Sequence, residues 1–514
     1  MNLSRIKQPY LELFPGDFTG NPIQRQTPKV LFSVAETVKF PDAELLVFNK
    51  KLAEETGIGT LESEQDEQFL FGNYIPPHLK TYSTAYAGHQ FGSWAGQLGD
   101  GRAIFAGEIT DDKGRKTEIQ WKGAGATPYS RHADGRAVLR SSVREYLMSE
   151  AMFHLGIPTT RALSLALTGE KVVRDMMYNG NPKEEKGAVI IRTAESFLRF
   201  GHFELLSAQK ETDILKKLAD FSIREYFPEI NPDSESRYKE WFEIICKKTA
   251  DLMTEWLRVG FVHGVMNTDN MSVLGLTIDY GPFSMLDGYD LNFTPNATDL
   301  PGRRYAFGQQ PQIAQWNLWQ FSNAVFPLIN DVDFLENTLG NFSVYFWKKH
   351  DEMLCRKFGF GEHREKDDEF FTGWQQMMQD SGMDHTLFFN QLEKWEESSD
   401  VRALFQPCFY HNPEEKQWDI LETFMQNYKI RLAENTISKE ESLQLMQNAN
   451  PKFILRNYLL YNCIEELNHG KTELLHKLLK ALENPYQEIF SEFSQKRPQE
   501  FDGTIGCSML SCSS

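Results

Sequence analysis

No window of this chain reaches the eighteen or so apolar residues that a membrane-spanning helix needs. Its first residues, MNLSRIKQPYLELFPGDF, lack the basic segment and long apolar stretch of a secretion signal. A cytoplasmic location and no membrane partner are the resulting expectations. Cysteine is sparse, with six in 514 residues at 246, 355, 408, 463, 507 and 512. All but the last two stand alone, which excludes a secreted disulfide framework and a zinc cluster. Positive charge is in deficit: 54 Lys and Arg against 72 Asp and Glu leave a net charge of −18. That balance argues against nucleic acid as a partner, yet leaves room for a local basic pocket that takes phosphates. No internal repeat of fixed period is visible.

What is present suits a protein folded throughout, with 41% hydrophobic and 13% aromatic residues. Residues 1–80 mix short apolar runs with Pro and Gly and read as an N-terminal wrapping segment with one helix, DAELLVFNKKLAEET (42–56). Residues 81–205 read as a sheet-rich lobe. Strands over 102–109 and 116–122 flank the polar turn TDDKGR, and more strands follow over 161–169, 171–177 and 187–194. A helix is predicted from about 139 to 155, ending at Gly156 before Pro158. Residues 206–305 add helices over 207–227 and 236–261 and a polar loop, and 306–514 form a helical extension with a small-residue tail. The expected class is α+β, two lobes with a cleft between them as the site.

The densest chemistry lies in HGVMNTDNMSVLGLTIDYG, residues 263–281. A His-Gly turn leads to Asp269-Asn270 in a polar loop, then to an apolar strand SVLGLTI, with Asp279 at its end. Asn270 and Asp279 are hard oxygen ligands suited to one Mg²⁺ that also holds phosphate, and Asp269 beside them suits a proton acceptor. His263 fits a backbone brace better than a base. Two glycine-rich stretches precede this loop. GSWAGQLGDGRA (92–103) offers Gly99, Gly101 and Arg102, and KGAGATPYSRHADGRA (122–137) offers Asp134 and Gly135. Lys122 closes a strand and Glu145 falls in the next helix, the order in which kinases grip a triphosphate. Arg192 and Arg199 can each fork onto phosphate.

Through YAGHQFGSWAGQLGDGRA, QWKGAGATPYSRHADGRAVLRSSVREYLMSEAM, SFLRFGHFE and HGVMNTDNMSVLGLTIDYGPF the sequence resembles the selenoprotein O family of pseudokinase-fold protein adenylyltransferases. The resemblance spans most of the chain. It implies a protein-kinase-like fold that transfers AMP from ATP, and in some members UMP from UTP, to Ser, Thr or Tyr hydroxyls of proteins. It makes Asp269 the base, Asn270 and Asp279 the ligands of Mg²⁺ or Mn²⁺, and Glu145 the residue orienting Lys122. Nucleotide contacts then fall to Gly99, Gly101, Arg102, Lys122, Asp134, Gly135, Arg192, Arg199 and Asp279. A kinase loop would carry its base where Val265 stands, and the family answers this by holding the nucleotide flipped, with the α-phosphate toward the acceptor. Cys512 stands where eukaryotic relatives carry selenocysteine. Some bacterial relatives pair this Cys with one in the activation-like segment, but NFTPNATD here has Pro295 and no Cys. That leaves Cys507 as the alternative redox partner, with incidental thiols in a small-residue tail as the competing reading. A γ-phosphate-transferring kinase and an inactive nucleotide-binding scaffold are the competing readings.

Overall fold

Successive residues of an extended strand point to opposite faces of a sheet, so a strand that is apolar at every position must be covered on both sides. The stretch GAVIIRTA meets that condition. In the computed structural model, which describes residues 1–511, Ala188 and Ile190 join the main core while Val189 and Ile191 join a second cluster with Leu3, Ile6, Leu52 and Phe69. One face therefore packs on helix Leu139–His154 and the other on the N-terminal residues.

The sheet is built from β1 (Gly16–Asp17), β2 (Phe32–Val34), β3 (Glu44–Phe48) and β4 (Tyr82–Thr84). A separate hairpin of β5 (Ala87–Gln90) and β6 (Ser93–Gln97) follows. The sheet resumes with β7 (Ala103–Thr110), β8 (Lys116–Lys122), β9 (Ala137–Val138), β10 (Arg161–Arg174) and β11 (Lys183–Ala194). Its order is β1-β2-β4-β7-β8-β11-β10-β3, with β9 beside β11, and only β1 and β2 run parallel. Register places Gln120 opposite Arg192 and Lys122 opposite Ile190. Residues two apart on a strand share a face, so Lys122, Gln120 and Arg192 all face the same side.

The chain is of mixed α and β type, as expected, with the 139–155 helix found at Leu139–His154. Three expectations are corrected. The helix predicted over 42–56 is a strand, Glu44–Phe48, followed by a helix only at Lys50–Glu55. The ELLVF run has the apolar, β-branched and aromatic content that fits a sheet edge, and it pairs there with β10. Asn49 then starts the helix by accepting the Leu52 N–H at 3.0 Å. Residues 161–174 form one strand that bends at Gly169, where φ is +78°. SVLGLTI is not a strand: it makes single bridges at Ser272 and Thr277, and a turn at Gly275 (φ +67°) interrupts it.

Helices Arg237–Val259, Gln310–Ile329 and Val332–Phe358 form the helical half, and none is long and apolar enough to cross a membrane. The 306–514 region does more than extend the chain. Helix Asn457–Asn468 backs helix Leu139–His154, where the Arg144 guanidinium donates to Asn457 Oδ1 at 3.2 Å. Cys507 is a buried thiol in the main core, pushed up to about 11 by burial. Cys512 lies outside the described residues.

Leu147 is fully buried between sheet and helices. Leu147→Ala should cost about 2–5 kcal/mol, read as a lowered midpoint in urea denaturation with an unchanged slope.

Candidate active site

Helix Leu139–His154 runs under the sheet so that Glu145, only 2% exposed, meets the face carrying Lys122 and Arg192. One Glu145 oxygen accepts from Lys122 Nζ at 2.5 Å and the other from Arg192 Nη1 at 2.8 Å. Arg192 Nη1 also donates to Asp279 Oδ1 at 2.7 Å, and Arg192 Nε donates to Gln120 at 3.0 Å. Arg199 binds the second Asp279 oxygen and donates to the Asp269 carbonyl at 3.0 Å. Five side chains from a strand pair, a helix, a helix N-cap and a loop thus form one buried charge network.

The charges follow from that geometry. Burial opposes ionisation of Asp279, but the Arg199 and Arg192 guanidiniums and Lys122 outweigh it and hold its carboxyl well below the usual range. Burial also works against Glu145, and Lys122 and Arg192 keep it ionised. The Lys122 ammonium is depressed to about 8 by burial, which Glu145 offsets only in part.

A cavity of about 680 Å³ opens beside this network. Gly99, Gly101, Arg102, Lys122, Asp134, Gly135, Arg192, Arg199, Asn270 and Asp279 all line it, so every expected nucleotide and metal residue meets there. Glycine is required at three of these positions, Gly101 among them, where a Cβ would lie 2.8 Å from the Tyr129 carbonyl oxygen. A Cβ on Gly99 would lie 2.4 Å from the Tyr129 ring, and one on Gly135 2.2 Å from the Gly125 backbone. Asp134 is held by Arg174 at 2.7 Å and accepts the Arg136 N–H at 2.9 Å. Arg131, Arg136, Arg174 and Asp100 also line the cavity and escaped the sequence reading. Asp100, within the glycine-rich GDGR turn, accepts from the Thr84 amide at 3.1 Å and faces Arg199 at 3.7 Å. Arg174 could not be found from sequence, because only the pairing of β10 with β11 brings it near. The lining carries seven Lys or Arg side chains against three carboxylates. That local surplus suits a polyphosphate in a chain that is acidic overall.

Asp269 differs from the others. It stands on a short 3₁₀ turn, Thr268–Asn270, 7% exposed, and is not among the cavity-lining residues. Oδ2 accepts from Gln90 Nε2 at 3.2 Å, while Oδ1 is buried without a partner. Burial pushes this carboxyl up to about 7, against the Gln90 hydrogen bond and the nearby Arg199. The β5–β6 hairpin lies over it so closely that a Cβ on Gly88 would sit 2.6 Å from Oδ1. His263 is buried and bonds Ile278 O at 2.9 Å, a bracing role consistent with the sequence reading. Val265 lines the cavity and its carbonyl accepts Asn270 Nδ2 at 2.9 Å. Cys507 is not among the lining residues.

Glu145→Ala should cost about 3–5 kcal/mol in thermal or chemical denaturation, because Lys122 and Arg192 are left buried with one counter-charge fewer. Asp269 predicts a pH effect of definite sign. Its folded pKa lies above the unfolded value near 3.9, so its favourable contribution is full below about pH 4 and is lost as pH rises through 7. Asp269→Asn should therefore gain stability relative to the parent between pH 5 and pH 8, read as a widening difference in melting temperature.

A family model described as protein adenylyltransferase SelO matches residues 19–483. A protein nucleotidyltransferase YdiU of Cytophaga hutchinsonii is 46% identical over 518 residues, covering 100% of this chain and 99% of that protein. Proteins of the same name from Flavobacterium johnsoniae and Nitrosospira multiformis are 43% and 42% identical, over 95% and 99% of this chain and 95% and 96% of their own lengths. With a match of this extent, the chain belongs to the SelO family of nucleotidyltransferases.

Proposed function

We propose that this chain transfers AMP from ATP to Ser, Thr or Tyr hydroxyls of proteins, with UTP as a second donor, in a protein-kinase-like cleft. The observation that carries this reading is the separation of two neighbouring carboxylates: Asp279 is clamped by two arginines and stays ionised, while Asp269 is held near neutrality by burial. Two acids pushed apart in this way can take two roles, a permanent anion and a group that exchanges a proton at physiological pH.

In this reading the β5–β6 hairpin moves aside to admit the acceptor to Asp269. Asp269 takes the hydroxyl proton as the oxygen attacks the α-phosphorus; the bond to the β-phosphate breaks, and pyrophosphate leaves. Arg102, Lys122, Arg192 and Arg199 neutralise the distal phosphates, which requires the nucleotide to lie with its α-phosphate toward Asp269. Val265 at the position of a kinase base is the sequence feature behind that orientation. Asn270 and Asp279 bring oxygen donors to the same cavity wall, and each Asp279 oxygen keeps a lone pair beyond its arginine bond. That donor set fits Mg²⁺ or Mn²⁺, which would supply charge neutralisation at the phosphates. Glu145 keeps the Lys122 ammonium directed.

With ATP labelled separately at the α and γ positions, protein-bound label should come from α alone. Label from γ alone would contradict the proposal. Asp269→Asn should lower the transfer rate by about 10²–10⁴ while leaving ATP affinity within a few-fold. The parent's rate should rise with pH through about 7, since the base acts deprotonated.

A further inference from the structure

The hairpin that covers Asp269 also covers a second charged group. Its tip, Phe91-Gly92, is held down by the Phe91 N–H, which donates to Tyr305 Oη at 2.9 Å and to Asn267 Oδ1 at 3.2 Å. Phe91 holds a left-handed conformation, φ +50°, which is costly for a bulky residue and marks a segment fixed by its surroundings. A Cβ on Gly92 would lie 3.3 Å from the Arg304 guanidinium carbon. Gln90, two residues before Gly92, is the side chain that touches Asp269. The same turn therefore lies over a carboxylate and a guanidinium.

Both of these groups are incomplete. Asp269 Oδ1 is a buried acceptor without a donor, and Arg304 Nε and Nη2 are buried donors without an acceptor. Such orphans are costly and uncommon, and a bound partner is one way to satisfy them. Arg304 is held in position: its guanidinium lies 4.5 Å from the Trp316 ring, and its backbone N–H is fixed by Asp299 Oδ1 at 3.0 Å. Asp299 accepts the Tyr305 N–H as well, at 2.8 Å, which pins both residues in one loop. Phe91 and Trp94 on the hairpin are 40% and 46% exposed, apolar surface beside the two orphans.

We propose that the β5–β6 hairpin closes over the acceptor subsite and lifts to open it, so that Asp269 receives the hydroxyl and Arg304 binds an acidic side chain near that hydroxyl in the incoming protein segment. The proposal rests on the adenylyl-transfer reading and adds a substrate class to it, hydroxyl residues flanked by Asp or Glu. A planar guanidinium stacked on an indole is suited to a carboxylate in two-point contact. Phe91 and Trp94 supply the apolar contact to the segment's backbone and neighbouring side chains.

The test uses the full chain, α-labelled ATP with Mg²⁺ or Mn²⁺, and peptide libraries fixed at Ser, Thr or Tyr with randomised flanks. Parent protein should favour Asp or Glu flanks over neutral ones by about ten-fold or more, in line with a charged hydrogen-bonded pair. Arg304→Gln should bring that ratio near one, and Arg304→Glu should shift preference toward Lys and Arg flanks, both with parental ATP affinity, since Arg304 does not line the nucleotide cavity. Arg304→Lys should keep part of the acidic preference and shows that a loss in the other variants is not misfolding. Transfer with no acidic preference in the parent, or the same preference in Arg304→Glu, overturns the subsite. Transfer of γ label in place of α overturns the underlying reading instead.

Discussion

Glu145 is the constraint on which the site depends. A carboxylate this deeply buried stays ionised only if its oxygens are matched by positive charge, and Lys122 and Arg192 provide that match, one to each oxygen. The bridge ties the helix to two neighbouring strands. It also fixes Arg192 in the position from which it reaches Asp279, and Asp279 in turn takes Arg199. Removal of the central carboxylate would leave Lys122 without its counter-charge and Arg192 with Asp279 alone. Architecture and charge state are therefore one problem here, and the sheet register that sets Gln120 opposite Arg192 is part of its solution.

Asp269 stands just outside this network and is left unmatched. Arg199 binds the Asp279 carboxylate and reaches Asp269 only through its backbone carbonyl. The side chain gets one hydrogen bond from Gln90 and a cover of glycine-containing hairpin. Two acids ten residues apart thus have opposite fates, one stabilised as an anion and one held close to neutrality. That contrast is what turns a phosphate pocket into a site able to move a proton at physiological pH.

Much of this was legible in the sequence, because the residues involved have few other uses. A lysine closing a strand, a glutamate in the following helix and an Asp-Asn pair before Asp279 occur in an order that geometry alone would not produce. Helix 139–155 was visible because its apolar spacing is helical and Gly156 ends it. The misread pieces have physical causes. Glu44–Phe48 is apolar enough for either period, and only a long-range pairing with β10 makes it a strand. SVLGLTI has strand composition, yet the turn at Gly275, closely packed on Lys248, breaks it. Asp100 and Arg174 were missed because their roles come from tertiary neighbours: Arg199 is 99 positions from Asp100, and Asp134 is 40 from Arg174. The hairpin over Asp269 was likewise invisible, since its sequence reads as a glycine-rich turn.

The difference between the two carboxylates can be measured directly. In protein labelled with carbon-13 at aspartate carboxyls, one resonance that disappears in Asp269→Asn should titrate near pH 7, and one that disappears in Asp279→Asn should remain ionised down to the lowest pH at which the fold survives. An Asp269 resonance that titrates near 4, like an exposed aspartate, would contradict the role assigned to it.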